Sequence, residues 1–133
     1  MAKPEGTLTA AQLEILEVIW SGPQTGSTVT EIWDAITTQR EVTRTTVLNQ
    51  VDRLEKRGWL HRKKHDDGFR YVAAFAREVA TRSVAEQFVE AFFGGSAADL
   101  VSSLLGSKKL KPDEVQRLRK LLDSGSSPRK PKQ

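Results

Sequence analysis

The sequence contains no cysteine. That excludes disulfides and thiolate metal sites, and it fits a reducing cytoplasm. Histidine is almost as scarce, with only His61 and His65. Both fall on an expected strand, where residues four apart share a face but lie too far from each other to hold one metal. No metal and no cofactor is expected. No stretch approaches the about 18 apolar residues of a membrane span. The opening "MAKPEGTLTAAQLEILEVIW" has no basic leader followed by an apolar run. Neither membrane insertion nor a secretion signal is therefore expected, and the expected location is the cytoplasm. There is no nucleophile–base set and no carboxylate pair in a Gly-rich pocket, so catalysis has no support.

What the chain does have is ordinary apolar content, 38% of 133 residues, enough for one small core with an appendage. Its net charge of +4 is modest but unevenly spread. Residues 1–42 hold two basic and six acidic residues, whereas residues 43–70 hold eight basic and four acidic. A localised excess of cations points to a polyanionic partner or to a solvated lysine-rich face.

Local signals divide the chain into elements. Thr9 with Gln12, and Thr28 with Glu31, read as capping boxes. Leu13, Leu16, Ile19 and Trp20 follow the first at helical spacing, and Val29, Ile32, Trp33 and Ile36 follow the second. Thr43 caps a third helix with Val47, Val51 and Leu54 on one face, ended at Arg57-Gly58 by a left-handed cap. "WLHRKKH" and "GFRYVAAF" flank "DDG", which signals a hairpin. Trp20, Trp33 and Trp59 read as core residues. Asp52 and Glu55 read as solvated helix charges.

Beyond about residue 76 the composition becomes that of short helices. Val84, Phe88 and Phe92 recur every four residues. A Gly-Gly break follows, then Leu100, Val101, Leu104 and Leu105, then a last helix with Pro112 in its first turn and Val115, Leu118, Leu121 and Leu122 inward. So small a unit cannot bury these side chains alone. Val84, Phe88, Phe92, Leu100, Leu104, Leu118 and Leu121 are the expected interface of a twofold homodimer. The expected organisation is residues 7–75, residues 76–123, and a Ser/Pro/Lys-rich disordered tail over 124–133. The fold class is mainly α with a small β-hairpin.

On a helical wheel the third helix places Thr45, Asn49, Arg53 and Lys56 opposite its apolar face, with Thr46 beside them. Short hydrogen-bonding groups come first and cations after. A helix lying in the major groove needs that order, because its early residues reach base edges and later cations hold phosphates. The expected DNA-reading set is Thr43, Arg44, Thr45, Thr46, Asn49, Gln50 and Arg53. The basic hairpin adds a wing with Arg62, Lys63, Lys64, His65 and Arg70. Its tip carries Asp66 and Asp67, which oppose phosphate unless they serve only the turn with Gly68.

"LTAAQLEILEVIW", "TVTEIWDAI", "TTVLNQVDRLEKRGWL" and "FRYV" together resemble the penicillinase-repressor family (BlaI/MecI, CopY-like) of bacterial transcriptional regulators, over roughly residues 7–123. The resemblance implies a winged helix-turn-helix N-terminal domain and a helical C-terminal dimerisation domain. It implies a repressor that binds pseudo-palindromic operators in double-stranded DNA, often with TACA/TGTA-like half-sites, and blocks promoters such as those of β-lactam-resistance or copper-handling genes. Several members are paired with a membrane sensor-protease that cleaves the C-terminal domain. The corresponding region here is 101–105, around Ser103 and Leu104, and it lacks the Asn-Phe pair of some resistance repressors. Asn49 stands where relatives often have Thr, Asp66-Asp67 where many have Gly-Arg, and the cysteine pairs of the copper-responsive branch are missing. Two other readings stay open: a winged-helix module that docks an acidic protein surface, and a ligand-responsive regulator of the MarR kind.

Overall fold

Three threonines start the first three helices. Thr9 precedes α1 (Ala10–Ser21), Thr28 precedes α2 (Val29–Thr37) and Thr43 precedes α3 (Arg44–Lys56). Each hydroxyl accepts from the backbone N–H three residues on, and Gln12 and Glu31 return the bond to complete two capping boxes. Such caps each contribute about 0.5–2 kcal/mol and fix where a helix begins. The computed structural model describes residues 7–124.

After α3, Gly58 adopts φ +85°, the left-handed turn the sequence predicts. The chain then forms β1 (Leu60–His65) and β2 (Gly68–Ala73), antiparallel, with Asp66-Asp67 as the turn. Ser27 adds a short third rung. Its N–H donates to the Tyr71 carbonyl (3.0 Å) and its carbonyl accepts from the Tyr71 N–H (2.9 Å). Gly26 makes this approach feasible. It sits at φ +98°, and a Cβ there would lie 2.9 Å from the Tyr71 oxygen.

The chain divides into two compact units, Met1–Gln87 and Phe88–Gln133, and α4 (Arg77–Phe93) spans the division. The first unit holds the core. Ile15, Leu16 and Ile19 of α1 meet Val29, Ile32 and Ile36 of α2, Val47, Val51 and Leu54 of α3, and Trp59, Leu60 and Tyr71 of the hairpin. Ala80, in the first part of α4, joins them fully buried. The inward face of α1 is rotated from the expected stripe. Gln12, Ile15, Leu16 and Ile19 are buried, while Leu13 and Trp20 are only half-buried at its edge.

Trp59 is buried. Trp20 and Trp33 lie at the rim because each indole N–H needs an acceptor. Trp20 donates to the Phe75 carbonyl (3.0 Å) and Trp33 to the Val42 carbonyl (2.7 Å). These bonds tie α1 to the segment after the wing, and α2 to the entrance of α3.

The second unit contains the end of α4, then α5 (Ala97–Gly106) and α6 (Pro112–Ser124). Neither α5 nor α6 has a buried residue. Leu122, expected to face inward, is 72% exposed. Leu118 and Val115 alone of its four-residue stripe are half-covered, because so short a unit has no opposite layer for the rest. Of the tail expected from residue 124, only Ser124, the last residue of α6, is within the described residues. No single helix among the described residues is long and apolar enough to cross a membrane.

Candidate nucleic-acid interface

The core fixes which side of α3 is free. Val47, Val51 and Leu54 point inward, fully or almost fully buried. At about 100° per residue, the direction opposite them runs between Asn49 and Lys56, with Thr45 beside them and Asp52 and Arg53 each about 50° away, on opposite sides. All five are exposed, and so is the flanking Thr46. Leu48, 39% exposed, flanks the other side. Arg53 has no side-chain hydrogen bond or ion pair among the described residues, so its guanidinium is available to a partner.

Asp52 and Lys56 pair at 3.1 Å along this ridge, with 53% and 72% of their side chains exposed. An exposed pair of this i,i+4 kind contributes only about 0.3–0.5 kcal/mol, so it opens readily.

Two expected members of the set face elsewhere. Gln50 is half-buried, and its side-chain oxygen accepts from Gln12 Nε2 (3.0 Å). It lies only about 60° from the core direction, on the flank that meets α1. Arg57 occupies the same flank and donates to Gln12 Oε1 (3.3 Å). Gln50 is therefore a packing residue between α1 and α3, not part of the exposed ridge. Arg44 points toward α2, where its Nε donates to Thr30 Oγ1 (2.9 Å). Thr43 spends its hydroxyl on the cap and on Thr46 (2.9 Å).

The wing divides by face. Paired positions Arg62–Tyr71 and Lys64–Phe69 share one side. There the Arg62 guanidinium lies 4.3 Å, and the Lys64 ammonium 5.6 Å, from the centre of the Phe69 ring, which is 46% exposed. An aromatic face attracts cations, so Phe69 gathers both charges at the tip of the side whose base, Leu60 and Tyr71, is buried in the core. Lys63 is exposed and His65 half-covered on the other side.

Arg70 departs from the expectation of a free wing cation. Its guanidinium donates to Asp67 (3.2 and 2.5 Å), to the Gly26 carbonyl (2.9 Å) and to Glu31 (3.4 Å). Only 17% of its side chain is exposed. Arg70 thus pins the wing to the start of α2. The same bond holds the Asp67 carboxyl below the usual carboxylate range. Asp67 is thereby held as an ionised partner of Arg70 within the wing, and among the described residues Asp66 is the acid left without a partner at the tip.

Sequence reasoning missed Gln12, the buried polar hub that holds Thr9, Gln50 and Arg57; it also missed Ser27 as a part of the wing and the role of Phe69 in gathering its cations. The capping-box reading did mark Gln12, but it gave the residue a local partner only.

The remaining expected residues belong to the C-terminal half. Val84 is half-covered in the first unit. In the second unit Phe88, Phe92 and Leu121 are exposed at 44%, 71% and 37%. Leu100, Leu104 and Leu118 are half-covered. Phe88 stacks obliquely on Phe92 (ring centres 4.9 Å apart) and on Phe93 (5.9 Å). Ser103 and Leu104 lie inside the helical turns of α5, with Ser103 exposed. Among the described residues no cluster of three or more His, Asp or Glu side chains could hold a metal ion.

Three helices ending in an exposed polar helix, followed by a basic hairpin that a third rung ties back to the core, define a winged-helix DNA-binding protein. The chain belongs to the penicillinase repressor family, whose pattern matches residues 8–124. It is accordingly a transcriptional repressor and not an enzyme. The methicillin resistance regulatory protein MecI of Mammaliicoccus sciuri is 24% identical over 116 residues, covering 87% of this chain and 93% of the relative. MecI of Staphylococcus aureus strain N315 is 23% identical over the same length. Among solved structures, that of the Bacillus licheniformis BlaI monomeric form in complex with the blaP half-operator is similar, with a TM-score of 0.49 and 23% identity. It covers 59% of this chain and 92% of that one.

Proposed function

We propose that the protein represses transcription in the bacterial cytoplasm by binding, as a homodimer, a pseudo-palindromic operator. The observation that carries this reading is the ridge on α3. Its groups can form base-edge hydrogen bonds, it lies opposite the core, and Arg53, unpaired among the described residues, flanks it. In the major groove, Thr45 and Asn49 face base edges, and Arg53 with the wing cations Arg62, Lys63 and Lys64 neutralises phosphate. Asp67 no longer opposes this arrangement, because Arg70 has already claimed it. That weakens the alternative of a wing built to dock an acidic protein surface.

The dimer is part of the same proposal. Phe88, Phe92, Leu105 and Leu122 expose apolar surface on a unit with almost no core of its own. A second copy of that unit would cover it, and two linked α3 helices would then meet two half-sites about one helical turn apart. Residues 7–75 would read DNA and the helical C-terminal part would join the copies.

Selection of bound duplexes from a random pool tests the reading. Enrichment of an inverted repeat is expected. Binding without any sequence preference, lost as salt rises, would overturn it.

A further inference from the structure

We infer that Phe69 is a positioning residue for DNA binding, whose ring holds the Arg62 guanidinium and the Lys64 ammonium in place to meet phosphate. The inference rests on the operator-binding reading above and assigns one face of the wing to the DNA backbone within it.

The hairpin register builds the cluster. Phe69 stands directly opposite Lys64, and Arg62 is its diagonal neighbour on the same face. Opposite and diagonal neighbours of an antiparallel pair are within reach of long side chains. Arg62 at 4.3 Å and Lys64 at 5.6 Å both lie inside the range in which a ring attracts a cation, about 6 Å. The ring is 46% exposed, so the core does not claim it.

The two faces of the wing differ in charge. On the other face Lys63 stands opposite Arg70, and Asp67 and Glu31 both pair with Arg70. Carboxylates there offset the cations. On the Phe69 face Arg62 and Lys64 are exposed, and among the described residues no acid is bonded to either. Phosphate is drawn to the face whose positive charge is not offset.

Contact with the ring does not use up the cations. N–H donors turned away from it stay available to phosphate oxygens. What the ring removes is freedom. Ordering a long, flexible side chain at an interface opposes binding, and a side chain already held loses less.

The test measures DNA affinity against salt for Phe69→Leu and Phe69→Tyr, and for Phe69→Leu combined with Arg62→Ala and Lys64→Ala. Phe69→Leu stays apolar and loses the ring. It should weaken binding to the selected operator and to random duplex alike, by about three- to tenfold. The selected motif and the salt slope should not change, because both cations remain. Phe69→Tyr should retain the binding, since its ring also attracts cations. With Arg62 and Lys64 both replaced by alanine, Phe69→Leu should cost nothing further. In Lys63→Ala, on the opposite face, it should cost the full amount. A full loss in the double-alanine background would mean that the ring packs on DNA itself, and would overturn the assignment. So would an unchanged affinity of Phe69→Leu, or an equal loss in Phe69→Tyr, which would mark a fault of hairpin packing. All three of these results leave operator binding intact. Absence of duplex binding by the unsubstituted protein would overturn the operator reading and the assignment with it.

Discussion

Gln12 Nε2 donates to Gln50 Oε1 across 3.0 Å and joins α1 to α3. Gln12 is 4% exposed and Gln50 is half-buried, so the donor side of the bond is shielded from water. Removing one partner leaves a buried polar group unmatched, which costs about 1–3 kcal/mol. Gln50→Ala should lower the unfolding free energy by about that amount in urea titration, while the selected DNA motif stays as it was. A changed motif with unchanged stability would return Gln50 to the base-reading face.

Asn49 and Arg53 should fail differently. Asn49→Ala should cost about 1–3 kcal/mol on the selected operator and little on random duplex, because base contacts carry sequence information. Arg53→Ala and Lys64→Ala should weaken binding to both. Each should reduce the slope of log affinity against log salt by about 0.9, the contribution of one neutralised phosphate. Titration of binding against salt for the three variants separates these roles.

Gly26 should resist substitution. An alanine there must hold φ near +98° and place its Cβ 2.9 Å from the Tyr71 carbonyl. The backbone conformation alone costs about 1–3 kcal/mol. Gly26→Ala should lower the melting temperature and speed amide exchange at Ser27 and Tyr71, whose paired N–H groups form the third rung.

The Asp67–Arg70 contact should be sensitive to acid. The folded Asp67 carboxyl is held below its ordinary value of 3.8 by the Arg70 hydrogen bond. A lowered folded value means the contact contributes fully above the ordinary value and is lost as pH falls through the folded one. Amide exchange in β1 and β2 should therefore be steady through neutral and mildly acidic pH and rise only below the ordinary carboxylate range. Asp67→Asn should remove that step. A step unchanged in Asp67→Asn would assign it to another group.

Phe92→Asp, alone or with Phe88→Asp, should yield monomers by light scattering. Phe92 is 71% exposed, so the change leaves the first unit's core untouched. Operator affinity should fall by more than tenfold, because each half-site is then bound without linkage to the other. A dimer that survives both substitutions would locate the contact on another surface.

How far the sequence revealed this structure depends on how local each rule was. Thr9, Thr28 and Thr43 act on backbone three residues away, and their helices begin where the caps predict. Asp66, Asp67 and Gly68 form a turn that alternating flanking residues made visible. The Ser27–Tyr71 rung pairs residues far apart in the chain, through backbone alone, and no side-chain pattern announces it. Arg70 looked like one more wing cation because its acceptors, the Gly26 carbonyl and Glu31, come from a distant segment. Gln50 was visible on the helical wheel, but its residue type suggested the opposite assignment. The long polar amide looked like a base reader. Only the position of the core made the flank and the ridge distinct.

The three tryptophans have an optical consequence. Trp20, Trp33 and Trp59 all lie in the first compact unit, and the sequence contains no others. Trp59 is enclosed, while Trp20 and Trp33 sit at the rim with their indole nitrogens bound. Indole emission from this chain is thus a signal from the winged-helix half alone. A fluorescence melt would record that half opening and be blind to the C-terminal helices, whereas far-ultraviolet dichroism would record both. The gap between the two curves would measure how independently the halves come apart.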